Sequence, residues 1–378
     1  MDVEIELSRI EAAGNLRVIP RADTSSAMID LSSNDYLGLA QDMGLRQQFL
    51  ETLDASRLQM TSSASRLLSA CQSSFTALED LLTDSYGRPA LLFNSGYHAN
   101  TGLVAAIGSR SGTLIVADRL VHASIIDGIR LSGAPFERFR HNDYGHLQRI
   151  LEAKASRYTN VLIVVESVYS MDGDMADLPQ IVSLKRHYPN ASLYVDEAHA
   201  VGVIGPGGLG LSHAAGVERD VDILVGTLGK ALASTGAYAI LDETLRAYMV
   251  NRARSLIFST ALPPACADWS VLTWRRSLDG DDLRDRLGVL GRRLATIIPG
   301  GAPSHIRPLL TGSADRAVDL SRQLAAEGFK VLPIRTSTVP PGTERLRFSL
   351  SAAIGMESLD RLGTVLKQLC GDVAQTHI

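Results

Sequence analysis

Lys230 stands where a short apolar run, Ile223-Leu-Val225, breaks off into Gly226-Thr227-Leu228-Gly229. A buried strand that stops at a glycine turn delivers its next polar side chain to the edge of a sheet. Upstream, Ser192-Leu-Tyr-Val-Asp196 is a second apolar strand ending in an acid, with His199 three residues on. Ends of neighbouring strands in an open α/β sheet converge on one crevice, so Asp196, His199 and Lys230 are expected to share a site. An acid, an imidazole and an amine together suit the chemistry of pyridoxal phosphate. The lysine holds the cofactor's aldehyde as an imine, and the acid keeps its pyridine nitrogen protonated.

Other strand ends add to this set. Phe93-Asn-Ser95-Gly96-Tyr97 runs from a strand straight into a helix, so the amides of Gly96 and Tyr97 lie at a helix N-terminus suited to a phosphate. Asp118-Arg-Leu-Val-His122 ends another strand with an imidazole that could stack on a cofactor ring. Glu166-Ser-Val-Tyr-Ser170-Met-Asp172-Gly-Asp174 leaves a further strand with hydroxyls and acids.

Two rival chemistries fail on spacing. Asp196-Glu-Ala-His199 has the form of a magnesium-holding box of nucleoside triphosphatases, but that chemistry needs G-x-x-x-x-G-K-[ST]. The Gly229-Lys230 pair has Leu224 where the first glycine belongs and Ala231 where Ser or Thr belongs. A dinucleotide-binding reading of Gly205-Pro-Gly-Gly-Leu-Gly210 fails because no early strand precedes it.

The elements that must position these residues follow an α/β pattern. Strands are expected near 90–93, 113–117, 135–139, 161–166, 192–196, 222–225 and 236–241. Helices are expected near 96–107, 121–132, 143–156, 177–188 and 243–254. This alternation predicts a mostly parallel seven-stranded sheet covered by helices with right-handed crossovers. Before it, helices are expected up to Leu16, over Asp42–Ser56 and over Gln72–Tyr86. After it come helices near 264–277 and 281–297, strands near 306–310, 329–334 and 345–350, and a closing helix at 356–369. The expected division is an N-terminal arm over 1–45, a large cofactor-binding α/β domain over 46–275 and a small α+β domain over 276–378.

With 378 residues, 45% hydrophobic content and a net charge of −4, the chain carries no basic run to suggest nucleic acid or an acidic membrane. Met1-Asp-Val-Glu-Ile-Glu is acidic where a signal peptide is basic, and no apolar stretch approaches a membrane span, so the cytoplasm is expected. Cys71, Cys266 and Cys370 are scattered, which fits reduced thiols; neither a disulfide framework nor a metal site is expected.

An ordered set of segments also resembles the α-oxoamine synthase family of fold-type I pyridoxal phosphate enzymes. The set comprises Asn34-Asp-Tyr-Leu-Gly38, Asp118–His122, His141-Asn-Asp143, Ser170-Met-Asp-Gly-Asp174, Asp196–His199, Val203-Ile-Gly205, Thr227–Lys230, Phe258-Ser-Thr-Ala-Leu-Pro-Pro264 and Thr338–Arg347, covering nearly the whole chain. The resemblance implies that Lys230 binds the cofactor covalently, Asp196 pairs with its pyridine nitrogen, His199 bonds its phenolic oxygen and His122 stacks on its ring. Ser170 and Thr227 would complete the shell. Gly96 and Tyr97 would hold the phosphate, with Ser259 and Thr260 of the neighbouring subunit of a homodimer. Arg347, helped by Asn34, would clamp an amino acid's carboxylate, and Arg17, Arg335 and Thr338 would line the acyl entry.

The implied reaction joins L-alanine to a pimeloyl thioester, on coenzyme A or acyl carrier protein, with loss of carbon dioxide. Sister reactions use glycine with acetyl or succinyl thioesters, or serine with a long acyl chain, and a catalytically silent relative is a further reading. The chain departs from the family at Thr61-Ser-Ser-Ala-Ser65 and Ala70, where glycines are usual.

Overall fold

In the computed structural model the described residues are 2–19, 28–54, 58–70, 72–336 and 338–371. They form two compact units, one of Leu37–Tyr169 with Met175–Arg284, the other of Met1–Tyr36, Ser170–Asp174 and Asp285–Ile378.

The first unit is built on a seven-stranded sheet. Its spatial order is Ala90–Phe93, Ala237–Ile240, Ile223–Thr227, Ala191–Asp196, Asn160–Glu166, Thr113–Asp118 and Phe136–Phe139. Ala237–Ile240 runs antiparallel to both neighbours and every other pairing is parallel. The expected mostly parallel α/β sheet is therefore present. Consecutive residues face opposite layers: Leu114 and Val116 enter one core, Ile115 and Ala117 the other. Burial on both faces explains the near-continuous apolar runs of these strands. Helices Gly96–Gly108, Ala123–Ser132 and Glu243–Arg252 supply one covering layer, while Ser73–Tyr86, Tyr144–Lys154, Leu178–Lys185 and Pro264–Leu278 supply the other.

One close approach matters for the site. A Cβ on Gly128 would lie 3.0 Å from the carbonyl oxygen of Asn100 and 3.2 Å from Thr101 Cα. Glycine there lets helix Ala123–Ser132 settle directly on the backbone of helix Gly96–Gly108. The glycine-poor loop is held differently. Ser63 takes φ +49°, a left-handed conformation that costs a side chain what it spares glycine, and Ser65 pairs with Thr260 in an antiparallel bridge.

The second unit contains a parallel pair, Ile29–Asp30 with Phe329–Lys330, and an antiparallel sheet ordered Leu332–Ile334, Arg345–Ser349, Ile306–Leu310. The single strand expected over 329–334 is thus two strands in two sheets, divided at buried Val331. Pro333 lacks an N–H and lies on an edge strand, where that loss is tolerated. The N-terminal helix covers Val3–Ala12 and stops short of Leu16, because Gly14 turns left-handed at φ +67°. Met43–Thr52 is helical; the expected extension to Ser56 lies outside the described residues, as does Cys71. Cys266 and Cys370 are free thiols. Among the described residues no helix is long and apolar enough to cross a membrane.

Candidate active site

The carboxyl ends of the parallel strands bring the first group of expected residues together. Asp196 and Thr227 close two neighbouring strands, and Lys230 lies in the turn beyond Thr227. That turn is fixed by two main-chain bonds, Ala233 N–H to the Lys230 carbonyl at 2.9 Å and Ser234 N–H to the Leu228 carbonyl at 2.9 Å. Ala233, three residues after the lysine, adopts φ +47°, a strained value for alanine. Lys230 Nζ lies 2.7 Å from His199 Nε2, and His199 is buried. Asp196, 4% exposed, accepts from the Ala198 amide at 2.9 Å through Oδ1 and from Asn100 Nδ2 at 2.7 Å through Oδ2.

Thr227 is buried, donating to the Gly236 carbonyl at 3.2 Å and accepting from the Gly229 amide at 3.2 Å. Ideal Cβ atoms on Gly96 and Gly229 would point to its hydroxyl, at 4.0 and 3.6 Å. Two backbones bare of side chains therefore flank this hydroxyl, one of them at the N-terminus of helix Gly96–Gly108, which Ser95 caps by accepting from the His98 amide at 3.2 Å. Such a cradle of amides and a hydroxyl fits a phosphate group. An amine, a carboxylate and an imidazole beside it fit the rest of pyridoxal phosphate. His122, at the start of helix Ala123–Ser132, is exposed and bonds Ser124 Oγ through Nδ1 at 2.7 Å. Ser259 and exposed Thr260 lie by Asn94, whose amide donates to Ser259 Oγ at 2.9 Å.

Sequence reasoning gave Asn100, Ser124 and Tyr194 no role here. Asn100 is 2% exposed within a helix whose other buried residues are mostly small or apolar, and a buried amide demands partners. Glu166 stands in register with Asp196 on the neighbouring strand and is 2% exposed; its Oε1 has no hydrogen-bond partner among the described residues. Burial, reinforced by the charge of Asp196, raises the Glu166 carboxyl well above the usual carboxylate range.

The second unit assembles another expected group. Arg347 is 8% exposed and donates to Asn34 Oδ1 at 3.2 and 3.1 Å, to Tyr36 OH at 3.4 Å and to the Ser170 carbonyl at 2.5 Å. All these partners are neutral; burial pushes the Tyr36 hydroxyl up to about 12, so it stays protonated. No carboxylate among the described residues pairs with Arg347, whereas Arg345 is committed to Asp172. A buried guanidinium with neutral partners is prepared for an incoming carboxylate. Arg17 donates to Thr338 Oγ1 at 3.0 Å, and Arg335 donates to the Gly14 and Leu16 carbonyls at 2.5 and 3.4 Å. A cavity of about 520 Å³ is lined by Leu7, Ile10, Leu16, Arg17 and Thr336 among others.

The sheet and its edge residues define a fold-type I pyridoxal phosphate-dependent transferase. The class I and II aminotransferase family model matches residues 26–366, and the chain belongs to that family. It is 43% identical over 383 residues to 8-amino-7-oxononanoate synthase of Chlorobaculum parvum, covering 96% of this chain and 97% of that one. Among solved structures, Sphingomonas wittichii serine palmitoyltransferase matches with a TM-score of 0.87 at 28% identity, covering 99% of this chain and 98% of that one. Francisella tularensis 8-amino-7-oxononanoate synthase matches with a TM-score of 0.76 at 27% identity, covering 91% and 98% respectively.

Proposed function

We propose that this chain is a homodimeric acyltransferase that joins L-alanine to a pimeloyl thioester, releasing the thiol and carbon dioxide and giving 8-amino-7-oxononanoate, a step of biotin synthesis. The observation that carries this reading is the assembly of Lys230, His199 and Asp196 at one sheet edge, in a chain 43% identical to such a synthase over nearly its full length. Bound pyridoxal phosphate supplies the electron sink that lets an amino acid's Cα lose a proton.

The protein's own groups supply the rest. Asp196 holds the cofactor's ring nitrogen, and its two hydrogen-bonded oxygens fix its orientation. His199 holds the phenolic oxygen. Gly96, Tyr97 and Thr227 hold the phosphate, with Ser259 and Thr260 of the partner subunit. Lys230 would hold the cofactor, and its amine would take the Cα proton of the amino acid as general base. Arg347 and Asn34 grip the alanine carboxylate, and Ser170 completes the shell. Arg17, Arg335 and Thr338 receive the acyl chain.

The likeness in fold to serine palmitoyltransferase makes serine with a long-chain thioester the competing pair, but at 28% identity against 43% for the alanine-using assignment. A panel of L-alanine, glycine and L-serine crossed with pimeloyl, acetyl, succinyl and palmitoyl thioesters decides between them. L-alanine with the pimeloyl thioester is expected to give the highest kcat/KM. A preference for glycine or serine would move the chain to a sister reaction, and no turnover with any pair would leave a silent relative.

A further inference from the structure

We propose that Asn100 and Ser124 are positioning residues that fix the tautomer of His122 with its proton on Nε2, so that His122 meets its ligand as a hydrogen-bond donor. This rests on His122 belonging to the proposed cofactor site. Protons are handed in one direction along a chain of hydrogen bonds that runs from buried Asp196 out to His122. It begins at Asp196, whose Oδ2 lies 2.7 Å from Asn100 Nδ2. A carboxylate only accepts, so the NH₂ side of the Asn100 amide must face Asp196. The same Nδ2 lies 2.9 Å from Ser124 Oγ, which takes the second amide proton. The amide oxygen is served from the other side by Tyr194 OH at 2.6 Å. Burial, with the Asp196 charge second, raises the Tyr194 hydroxyl well above its ordinary value, so it remains a donor. Every hydrogen-bonding atom of the Asn100 side chain is thereby assigned one direction.

The direction passes on to the imidazole. Ser124 is fully buried, its oxygen already accepts from Asn100, and its own single proton needs an acceptor. His122 Nδ1 is 2.7 Å away. The Ser124 amide points at the same nitrogen from 3.3 Å, as the N-cap of helix Ala123–Ser132 requires. Two donors converge on Nδ1, and a proton there would face both. Nδ1 therefore carries the lone pair, and the neutral ring's proton sits on Nε2. Desolvation of the imidazole lowers its pKa below the ordinary value, with Lys230 adding to the effect and Asp196 and Asp127 opposing it, which favours the neutral ring that has a tautomer to fix.

Asn100 thus joins three cofactor-holding elements: the phosphate helix Gly96–Gly108 on which it sits, the strand ending in Asp196, and the helix that begins beside His122. The consequence for the reaction is a division of labour. With Nδ1 occupied, His122 offers an N–H to a carbonyl or carboxylate oxygen of the substrate, and removal of the Cα proton falls to Lys230.

The test is a long-range proton–nitrogen NMR correlation on protein labelled with ¹⁵N-histidine, recorded with and without pyridoxal phosphate. The chain has nine histidines, and the His122 signals are those lost in His122→Gln. In the wild-type protein Nε2 is expected at the shift of a protonated ring nitrogen and Nδ1 at that of an unprotonated one. In Ser124→Ala the two shifts should move toward each other as the tautomers mix, and Ser124→Thr, which restores the hydroxyl, should separate them again. A protonated Nδ1 in the wild type would overturn the inference without any variant, and so would an unchanged pattern in Ser124→Ala. A protein that shows the expected tautomer but binds no pyridoxal phosphate would defeat the functional reading instead.

Discussion

Lys230→Ala is expected to fold, to bind pyridoxal phosphate non-covalently and to lose turnover by at least the ~10²–10⁴-fold share of a general base. The folding part follows from position: the Lys230 turn is held by main-chain bonds around Ala233 and Ser234, which the substitution leaves in place. The loss of turnover has two sources. The amine that tethers the cofactor is gone, and so is the base next to Cα. Borohydride should leave the cofactor covalently attached to the wild-type chain and release it from Lys230→Ala on denaturation. Equal attachment in both would mean that another lysine does this work.

Arg347→Lys carries the second large effect. The guanidinium spreads its donors over Asn34, Tyr36 and the Ser170 carbonyl, and its charge is unopposed by any carboxylate among the described residues. Lysine keeps the charge and loses the planar fork, so L-alanine should bind more weakly by about 1–3 kcal/mol, with cofactor retention unchanged. Because the same clamp orients the Cα–H bond, kcat should fall as well as affinity. Arg345→Lys serves as the control. That side chain is committed to Asp172, and its replacement should leave L-alanine affinity near wild type. Titration of each variant with L-alanine, followed by the cofactor's absorbance, reads both effects. A large loss in Arg345→Lys with none in Arg347→Lys would move the clamp to the other arginine.

Those two arginines show where sequence reading reaches its limit. Strand alternation puts Arg345 and Arg347 on one face, and nothing in Glu344-Arg-Leu-Arg347 separates them. The separation lies in a partner far away in sequence, Asp172, which neutralises only one of them. Asp196, His199 and Lys230 were legible because a polar residue ending a fully apolar strand is a local signal. Asn100 was not, because a single amide inside a helix shows its importance only when the strand ending at Asp196 and the helix starting beside His122 are packed around it. The two strands at Phe329–Lys330 and Leu332–Ile334 read as one for a similar reason. The break at Val331 is set by their different partners, Ile29–Asp30 and Arg345–Ser349, and composition alone does not show it.

In the proposed reaction one carbon–carbon bond forms between an amino acid and an acyl group as the amino acid's carboxyl is lost. L-alanine labelled with ¹³C in its carboxyl, incubated with the holoenzyme and a pimeloyl thioester, tests this directly. One labelled carbon dioxide is expected for each thiol released, together with an unlabelled amino ketone whose mass is that of 8-amino-7-oxononanoate. Thiol release without labelled carbon dioxide, or a product that keeps the labelled carboxyl, would contradict it.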